Sequence, residues 1–415
     1  MSSTSPSSAE SAQPFLAKLP FITLPFLILI AFSCPPFRGR GIIFACLLVA
    51  NDYACTFSPW PPNAGAARPM RYGMATSWFF VLPALERLLL HTPELDFWLL
   101  DREGLANNGH PKELTWGKVR WAAKLVTTPR AVGWNFGHRK VNDVRARIKI
   151  QKFGRLRFAM AKLAWAVLAY ITLDTVILAA RNTAIPAFWA WDLHTIKQIV
   201  YVEALMGLAS YSTMTLQFES AAMISVVLAG GQPEDWPPLF GNIAECYTVS
   251  NVWGKVWHGY IHQPVLGISH AIIDVLQLPR RSLPTYFLHL VTAFLTSGFF
   301  HIVSLFVICE GYLKPQKLVT NMGLFFMAQP LGTITEYAVV HLCQKAGLVE
   351  RVIGPGDDKR HLLSRGLRDR IPHILLRGLG YTWVFCWFVW TGWWFTEAYA
   401  AVGVLEWAPP VSIWQ

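Results

Sequence analysis

Eight long apolar runs, separated by polar or basic stretches, constrain this chain more than any other feature. They fall at roughly residues 15–34, 41–57, 72–91, 158–180, 198–230, 284–310, 318–345 and 375–404. A helix needs about 20 mainly apolar residues to cross the hydrocarbon core of a bilayer. The expectation is therefore an all-α fold: a polytopic transmembrane helical bundle of about eight spans. The second run is short and the fifth long, so either is a candidate for a re-entrant or broken helix. Pro and Gly inside several runs are compatible with spanning, because neighbouring helices satisfy the freed backbone groups. Only 15% of the residues are charged, against about a quarter in soluble domains. The 19 Trp and 26 Phe suit membrane interfaces, where amphipathic rings collect.

Charge orients the runs. Residues 101–157 hold fourteen Lys/Arg against four Asp/Glu. Nucleic acid is one partner for such a cluster, but its place between apolar spans favours a cytosolic loop under the positive-inside bias. The short FRGR at 37–40 and DDKRHLLSRGLRDR at 357–370 take the same side. Eight spans satisfy all three placements with both termini lumenal, and they put residues 231–283 on the cytosolic side. The chain then divides into a disordered N-terminus (1–14), N-terminal transmembrane helices (15–100), a basic cytosolic loop (101–157) and a helical body (158–415). That body includes an interfacial amphipathic segment, 231–283, in which Trp236, Phe240, Trp253, Trp257 and Tyr260 alternate with polar residues.

The run after MSSTSPSSAESAQ lacks the basic n-region of a cleavable signal peptide and reads as the first span. The expected location is the endoplasmic reticulum, although PPVSIWQ at the C-terminus shows no retrieval signal. Seven cysteines (34, 46, 55, 246, 309, 343, 386) lack the spacing of a disulfide framework or zinc site. The absence of an internal repeat argues against a transporter, which usually shows pseudo-repeated halves.

Several polar residues stand out against this background. VWGKVWHGYIHQ (252–263) puts two Trp, two His and a Lys in one short stretch. His258 and His262 have the i, i+4 spacing that lets two imidazoles share a metal on a helix face, which raises a metal-dependent membrane oxidase. Such an enzyme needs further histidine clusters, and none is dense here. The plainer use is an interfacial helix anchored by Trp253 and Trp257, with Lys255 snorkelling toward phosphates. His301 lies deep in TAFLTSGFFHIVS, one helical turn after Ser297 and Gly298. An ionisable group at that depth normally faces a bundle interior or a water-filled cavity. It serves either a ligand or a packed core. Glu336, in FFMAQPLGTITEYAVV, shares a helix face with Gln329; it either ties two helices together or supports chemistry. Asp174 and Glu203 are lone intramembrane acids with no evident partner. TTPRAVGWNFGHRK (127–140) is a basic turn whose Arg130, Arg139 and Lys140 either attract an anionic co-substrate, such as the phosphates of coenzyme A, or only set topology.

The pairing of VWGKVWH with a later FLTSGFFH resembles the wax-synthase-like branch of the membrane-bound O-acyltransferases. That family carries a Phe-Trp-Gly-x-x-Trp-His motif followed by Phe-Leu-x-Ser-Gly-x-x-His. RAVGWN (130–135) and FFMAQPLGTITE (325–336) are similar to segments of its fungal members. The four patches span most of the C-terminal two thirds in the family's order, whereas the first hundred residues match only in apolar character. Val252 replaces the expected Phe, Gly259 stands where Gln usually follows the His, and His262 with Gln263 comes four residues later.

The resemblance implies that His301 is the active-site histidine and that His258 belongs to the second functional motif. The implied reaction is acyl transfer from an acyl-CoA co-substrate, with no bound cofactor and no metal, to a hydroxyl of a hydrophobic alcohol that enters from the lipid bilayer. His301 would act as general base. His258, with Asn251, Trp253, Trp257, Ser297 and Glu336, would support the substrate or its oxyanion. Arg130, Arg139, Lys140 and Lys255 would hold the co-substrate. Relatives in fungi point to acetyl-CoA and a terpenoid-type secondary metabolite; long-chain wax-ester or sterol-ester synthesis is the alternative.

Overall fold

Helix fills each of the apolar runs, and local capping chemistry marks where several begin. The computed structural model describes residues 8–57, 68–100, 113–128, 130–137, 154–183, 192–280, 282–309, 314–346, 373–407 and 412–413. In order they form α1 (Ser8–Ser33), α2 (Arg40–Phe57), α3 (Arg68–Ala75), α4 (Trp78–Leu89), α5 (Pro93–Asp96) and α6 (Trp116–Val126). The long α7 (Arg155–Arg181) and α8 (Leu193–Val227) follow. Then come the single turn α9 (Val249–Asn251), α10 (His262–Val275), α11 (Leu283–Ile308), α12 (Pro315–Lys345) and α13 (His373–Ala401). Asp192 and Ser282 accept from the backbone N–H of Thr195 and Thr285 and so cap α8 and α11; each satisfies one of the orphan donors of a helix start. Among the described residues there is no strand, only an isolated bridge between Leu99 and Trp134.

The described residues are all-helical, with helices apolar enough for a membrane. Among the described residues four helices, α2, α7, α8 and α11, are by length and composition able to cross a bilayer, and Lys18–Ser33 of α1 is a shorter apolar helix. That is fewer than the eight spans expected. The 72–91 run breaks at Thr76–Ser77 into α3 and α4. α12 carries Asn321, Gln329 and Glu336, and α13 is rich in Trp and Gly, which lowers their mean hydropathy. α1 begins at Ser8, inside the tail expected to be disordered; residues 1–7 lie outside the described residues.

Among the described residues the two largest apolar cores lie at different ends of the sequence. One joins Leu24, Ile28 and Phe32 of α1, Leu48 of α2, Val81 and Leu88 of α4, Trp121 of α6 and Trp134. The other joins Val176 of α7, Met206 of α8, Phe294 and Leu305 of α11, Met322 and Phe325 of α12, and Tyr399 of α13. α3 packs on α11, and α10 packs on both α4 and α11, so these two helices connect the cores. Lipid is as apolar as leucine, so inside a bilayer close packing and hydrogen bonds, rather than water exclusion, hold helices together.

Of the 101–157 segment expected to be a loop, the described residues 113–128 and 130–137 include helix α6; the remainder up to residue 153 lies outside the described residues. Lys118 of α6 is fully buried and donates to Glu94 Oε1 at 2.8 Å, while Arg40 grips both oxygens of the same carboxylate at 2.5 and 2.7 Å. Burial alone would raise the Glu94 carboxyl. The Arg40 and Lys118 bonds outweigh it and hold the group below the usual range. Two cations of the expected topology signal are thus partners in a buried ion triad. RAVGWN is packed as well: Gly133 has φ +77°, a value that favours glycine, and its carbonyl accepts from Leu100 N at 2.8 Å. Asp174 of α7 also has partners after all, accepting from Ser412 Oγ at 3.0 Å and Ile413 N at 2.6 Å.

Candidate active site

α11 has two chemically different sides. Leu295, Phe299 and Phe306 are at least half exposed, whereas Phe294, Gly298, Leu305 and Ile308 are buried. The spacing is helical, and His301 falls on the buried side. Its ring stacks on Phe326 of α12 at 5.0 Å and meets the edges of Trp78 of α4 at 6.0 Å and Phe395 of α13 at 6.3 Å. Gly298 permits this approach: a Cβ there would sit 2.8 Å from Cβ of Phe326. His301 Nδ1 lies 3.0 Å from the Tyr399 hydroxyl, which lies 2.8 Å from that of Tyr72. The residue as a whole is half-buried. Ser297, one turn earlier, is half-buried.

VWGKVWH takes an unusual local shape. Val252–Val256 is a π-turn, closed by Trp257 N donating to Val252 O at 2.7 Å. Such turns are rare and often mark functional sites. Extended backbone follows, so His258 leaves the helical path, and His262 begins α10. The two histidines therefore share no helix face, and the i, i+4 metal geometry is not formed. Among the described residues no group of three His, Cys, Asp or Glu side chains is placed to hold a metal ion.

The π-turn is pinned from several sides. Trp253 donates through Nε1 to the buried Gln329 at 3.2 Å and packs edge-on against Phe294 and Phe325. Gly241 N donates to Val256 O at 2.9 Å. Glu336 accepts from Val249 N at 2.5 Å, Ser250 N at 3.1 Å and Trp383 Nε1 at 2.8 Å. Its carboxylate caps α9, where a negative charge is favoured. Asn251 ends that turn and is half-buried.

His258 faces inward beside Trp257 and Tyr260, each about 5.5 Å away ring to ring, and its buried Nδ1 has no hydrogen-bond partner. Burial first, then His301 and the Arg130 guanidinium nearby, push this imidazole down from 6.5 to about 3. The ring is neutral at physiological pH. Below about 6.5 the unfolded chain binds the proton before the folded one, so acid destabilises the fold as pH falls toward 3. The thermal midpoint is expected to fall over that range, and His258→Gln to flatten the slope; parallel slopes for the two proteins would contradict this placement of the ring.

Arg130 donates to Pro237 O at 2.9 Å and lies over the Phe218 ring; burial pulls its pKa down. It points toward His258 and Tyr260 rather than outward. Lys255 pairs with Glu245 at 3.1 Å. Arg139 and Lys140 lie outside the described residues. The structure thus brings His258, His301 and Arg130 together, with Trp253, Trp257 and Glu336 building the wall that carries His258. Tyr399 and Tyr72 are missed by the sequence reading. They lie far from both motifs in the chain, in WWFTEAYAAVG and PMRYGMA, and neither stretch has a recognisable spacing.

Residues 236–327, which include both histidines, match the Membrane bound O-acyl transferase family. That segment is similar to the family over less than a quarter of the chain. It is similar to acetyltransferase ple2 of Rhodocybe pseudopiperita, at 23% identity over 91% of this chain and 89% of the relative. Acetyltransferase eriL of Hericium erinaceus is 26% identical over 66% of this chain and 65% of the relative. Acetyltransferase TRI7 of Fusarium sporotrichioides is 33% identical, over 42% of this chain and 36% of the relative. No solved structure gives a significant match. The segment similar to that family carries the π-turn, His258 and His301.

Proposed function

We propose that the enzyme transfers an acetyl group from acetyl-CoA to a hydroxyl of a lipophilic, terpenoid-type secondary metabolite, with His301 as general base. One observation carries the reading: His258 carries a buried, unpartnered nitrogen. An orphan buried polar atom costs about 1–3 kcal/mol, so its persistence suits a group awaiting a ligand. Nδ1 of His301 is engaged by Tyr399, and among the described residues Nε2 is left to accept the hydroxyl proton. The alcohol oxygen then attacks the thioester carbonyl. The tetrahedral oxyanion collapses, the C–S bond breaks, and the coenzyme A thiolate leaves with the proton from the imidazolium. His258 stabilises the oxyanion, while Trp253, Trp257, Asn251 and Ser297 shape the space around it. Glu336 positions the His258 segment. No acyl-enzyme is needed.

Arg130 and Lys255, with Arg139 and Lys140 of the same basic sequence cluster as Arg130, receive the anionic co-substrate, and the acceptor enters laterally from lipid. The preference for acetyl rests on three relatives named acetyltransferases. An eight-span topology with lumenal termini, in the endoplasmic reticulum, agrees with the distribution of basic residues. Membranes containing the enzyme are expected to transfer label from acetyl-CoA, and not from palmitoyl-CoA, onto members of a panel of terpenoid alcohols. Transfer from palmitoyl-CoA alone, onto fatty alcohols or sterols, would replace this reading with wax-ester or sterol-ester synthesis.

A further inference from the structure

We propose that Tyr399 is the positioning residue for the base. Its hydroxyl accepts from Nδ1–H of His301 and thereby fixes the tautomer whose Nε2 lone pair takes the alcohol proton. This rests on the reading of His301 given above. The geometry is a three-member chain, His301 Nδ1 to Tyr399 Oη at 3.0 Å and Tyr399 Oη to Tyr72 Oη at 2.8 Å. It links α11, α13 and α3, which are distant in sequence.

Each phenol carries one hydrogen, so when the Tyr399 hydrogen stays within the chain it runs in one of two directions. If Tyr72 donates to Tyr399 and Tyr399 to Nδ1, then Nε2 carries the hydrogen and no basic lone pair faces the substrate. If Nδ1–H donates to Tyr399 and Tyr399 to Tyr72, Nε2 is the free base. In a neutral imidazole, the bond made by one ring nitrogen decides the state of the other. Protonation settles the direction: an imidazolium is a donor at both nitrogens, so once Nε2 has taken the proton only the arrangement in which Tyr399 accepts remains. Tyr399 thus stabilises the charged intermediate with a neutral lone pair. Nothing ionised is added to the bundle interior, where a lone charge is expensive. Tyr72 supports this indirectly, by accepting the Tyr399 hydrogen.

Packing holds the phenol in place. Tyr399 contacts Phe395 at 4.7 Å and Tyr72 edge-on at 5.9 Å, and Tyr72 meets Trp407 at 5.6 Å. Tyr399 is 3% exposed, so Tyr399→Phe removes the oxygen and keeps the ring contacts.

The test is steady-state kinetics of Tyr399→Phe, Tyr72→Phe and the double variant in membranes, with folded amount checked by thermal midpoint. Tyr399→Phe is expected to lower kcat about 10-fold, a part of the about 10²–10⁴-fold that a general base contributes. KM for acyl-CoA and for alcohol should stay within about 2-fold, because neither substrate touches the phenol. Tyr72→Phe should lower kcat by less, and the double variant should be no slower than Tyr399→Phe, since Tyr72 acts only through Tyr399. Wild-type kcat in Tyr399→Phe, or a Tyr72→Phe effect that persists in the Tyr399→Phe background, would overturn the assignment. His301→Ala separates the two layers. An active His301→Ala enzyme removes the base and this inference with it, whereas an inactive one beside a fully active Tyr399→Phe removes only the role of Tyr399.

Discussion

His301→Ala is expected to lower turnover by about 10²–10⁴-fold, the contribution of a well-placed general base, while leaving the folded protein in the membrane at near-normal amount. The ring does little for the fold that alanine cannot tolerate. Its neighbours Phe326, Trp78 and Phe395 belong to separate helices that also pack elsewhere, and Leu305 and Ile308 keep the same side of α11 buried. The loss therefore falls on chemistry. His301→Gln fills more of the space but offers no basic nitrogen, and should be as slow as alanine. A glutamine variant with near-normal rate would mean that the site needs a polar side chain rather than a base.

The second large effect is expected at Glu336, which touches neither histidine. Its carboxylate takes two backbone N–H groups of α9 and the indole N–H of Trp383. Hydrogen bonds to charged groups contribute about 1.5–3 kcal/mol each. Glu336→Ala strands three donors, so a destabilisation of about 2–5 kcal/mol is expected. α9 runs directly into the π-turn that carries Trp253, Trp257 and His258, so the rate should suffer too. A misplacement of about 1 Å at a reacting group costs about 10²-fold. Glu336→Gln keeps one acceptor oxygen and should fall between wild type and alanine on both readouts. An alanine variant with unchanged midpoint and unchanged rate would show that α9 holds its shape without the cap.

Apolar periodicity located the helices because membrane helices must be apolar for the length of the bilayer. Eight spans were expected, and among the described residues four helices meet the length and hydropathy of a span; α12 carries Asn321, Gln329 and Glu336 and is correspondingly less apolar. His301 stood out because a histidine in an apolar run is costly, yet depth and spacing fitted a packed core as well as a ligand, and only the motif pointed to chemistry. His258 was legible only through its motif, since the π-turn that aims it has no sequence period; the i, i+4 reading of His258 and His262 assumed a continuous helix that the turn interrupts. Basic residues were the least legible. Arg40 and Lys118 look like topology charges in the sequence, yet they meet Glu94 in a buried triad, a tertiary pairing across 54 and 24 residues of chain. Tyr399 and Tyr72 were invisible for the same reason: a hydrogen bond between residues 327 positions apart leaves no local mark.

The most direct measurement of the central claim is single-turnover transfer from labelled acetyl-CoA to an accepted alcohol. It compares membranes holding equal amounts of folded wild-type and His301→Ala protein, with enzyme in excess over label. The wild-type enzyme should pass its label to the alcohol while the variant transfers at least about 10²-fold more slowly, although both retain the donor. Transfer by the variant within a few-fold of wild type would contradict a base at position 301.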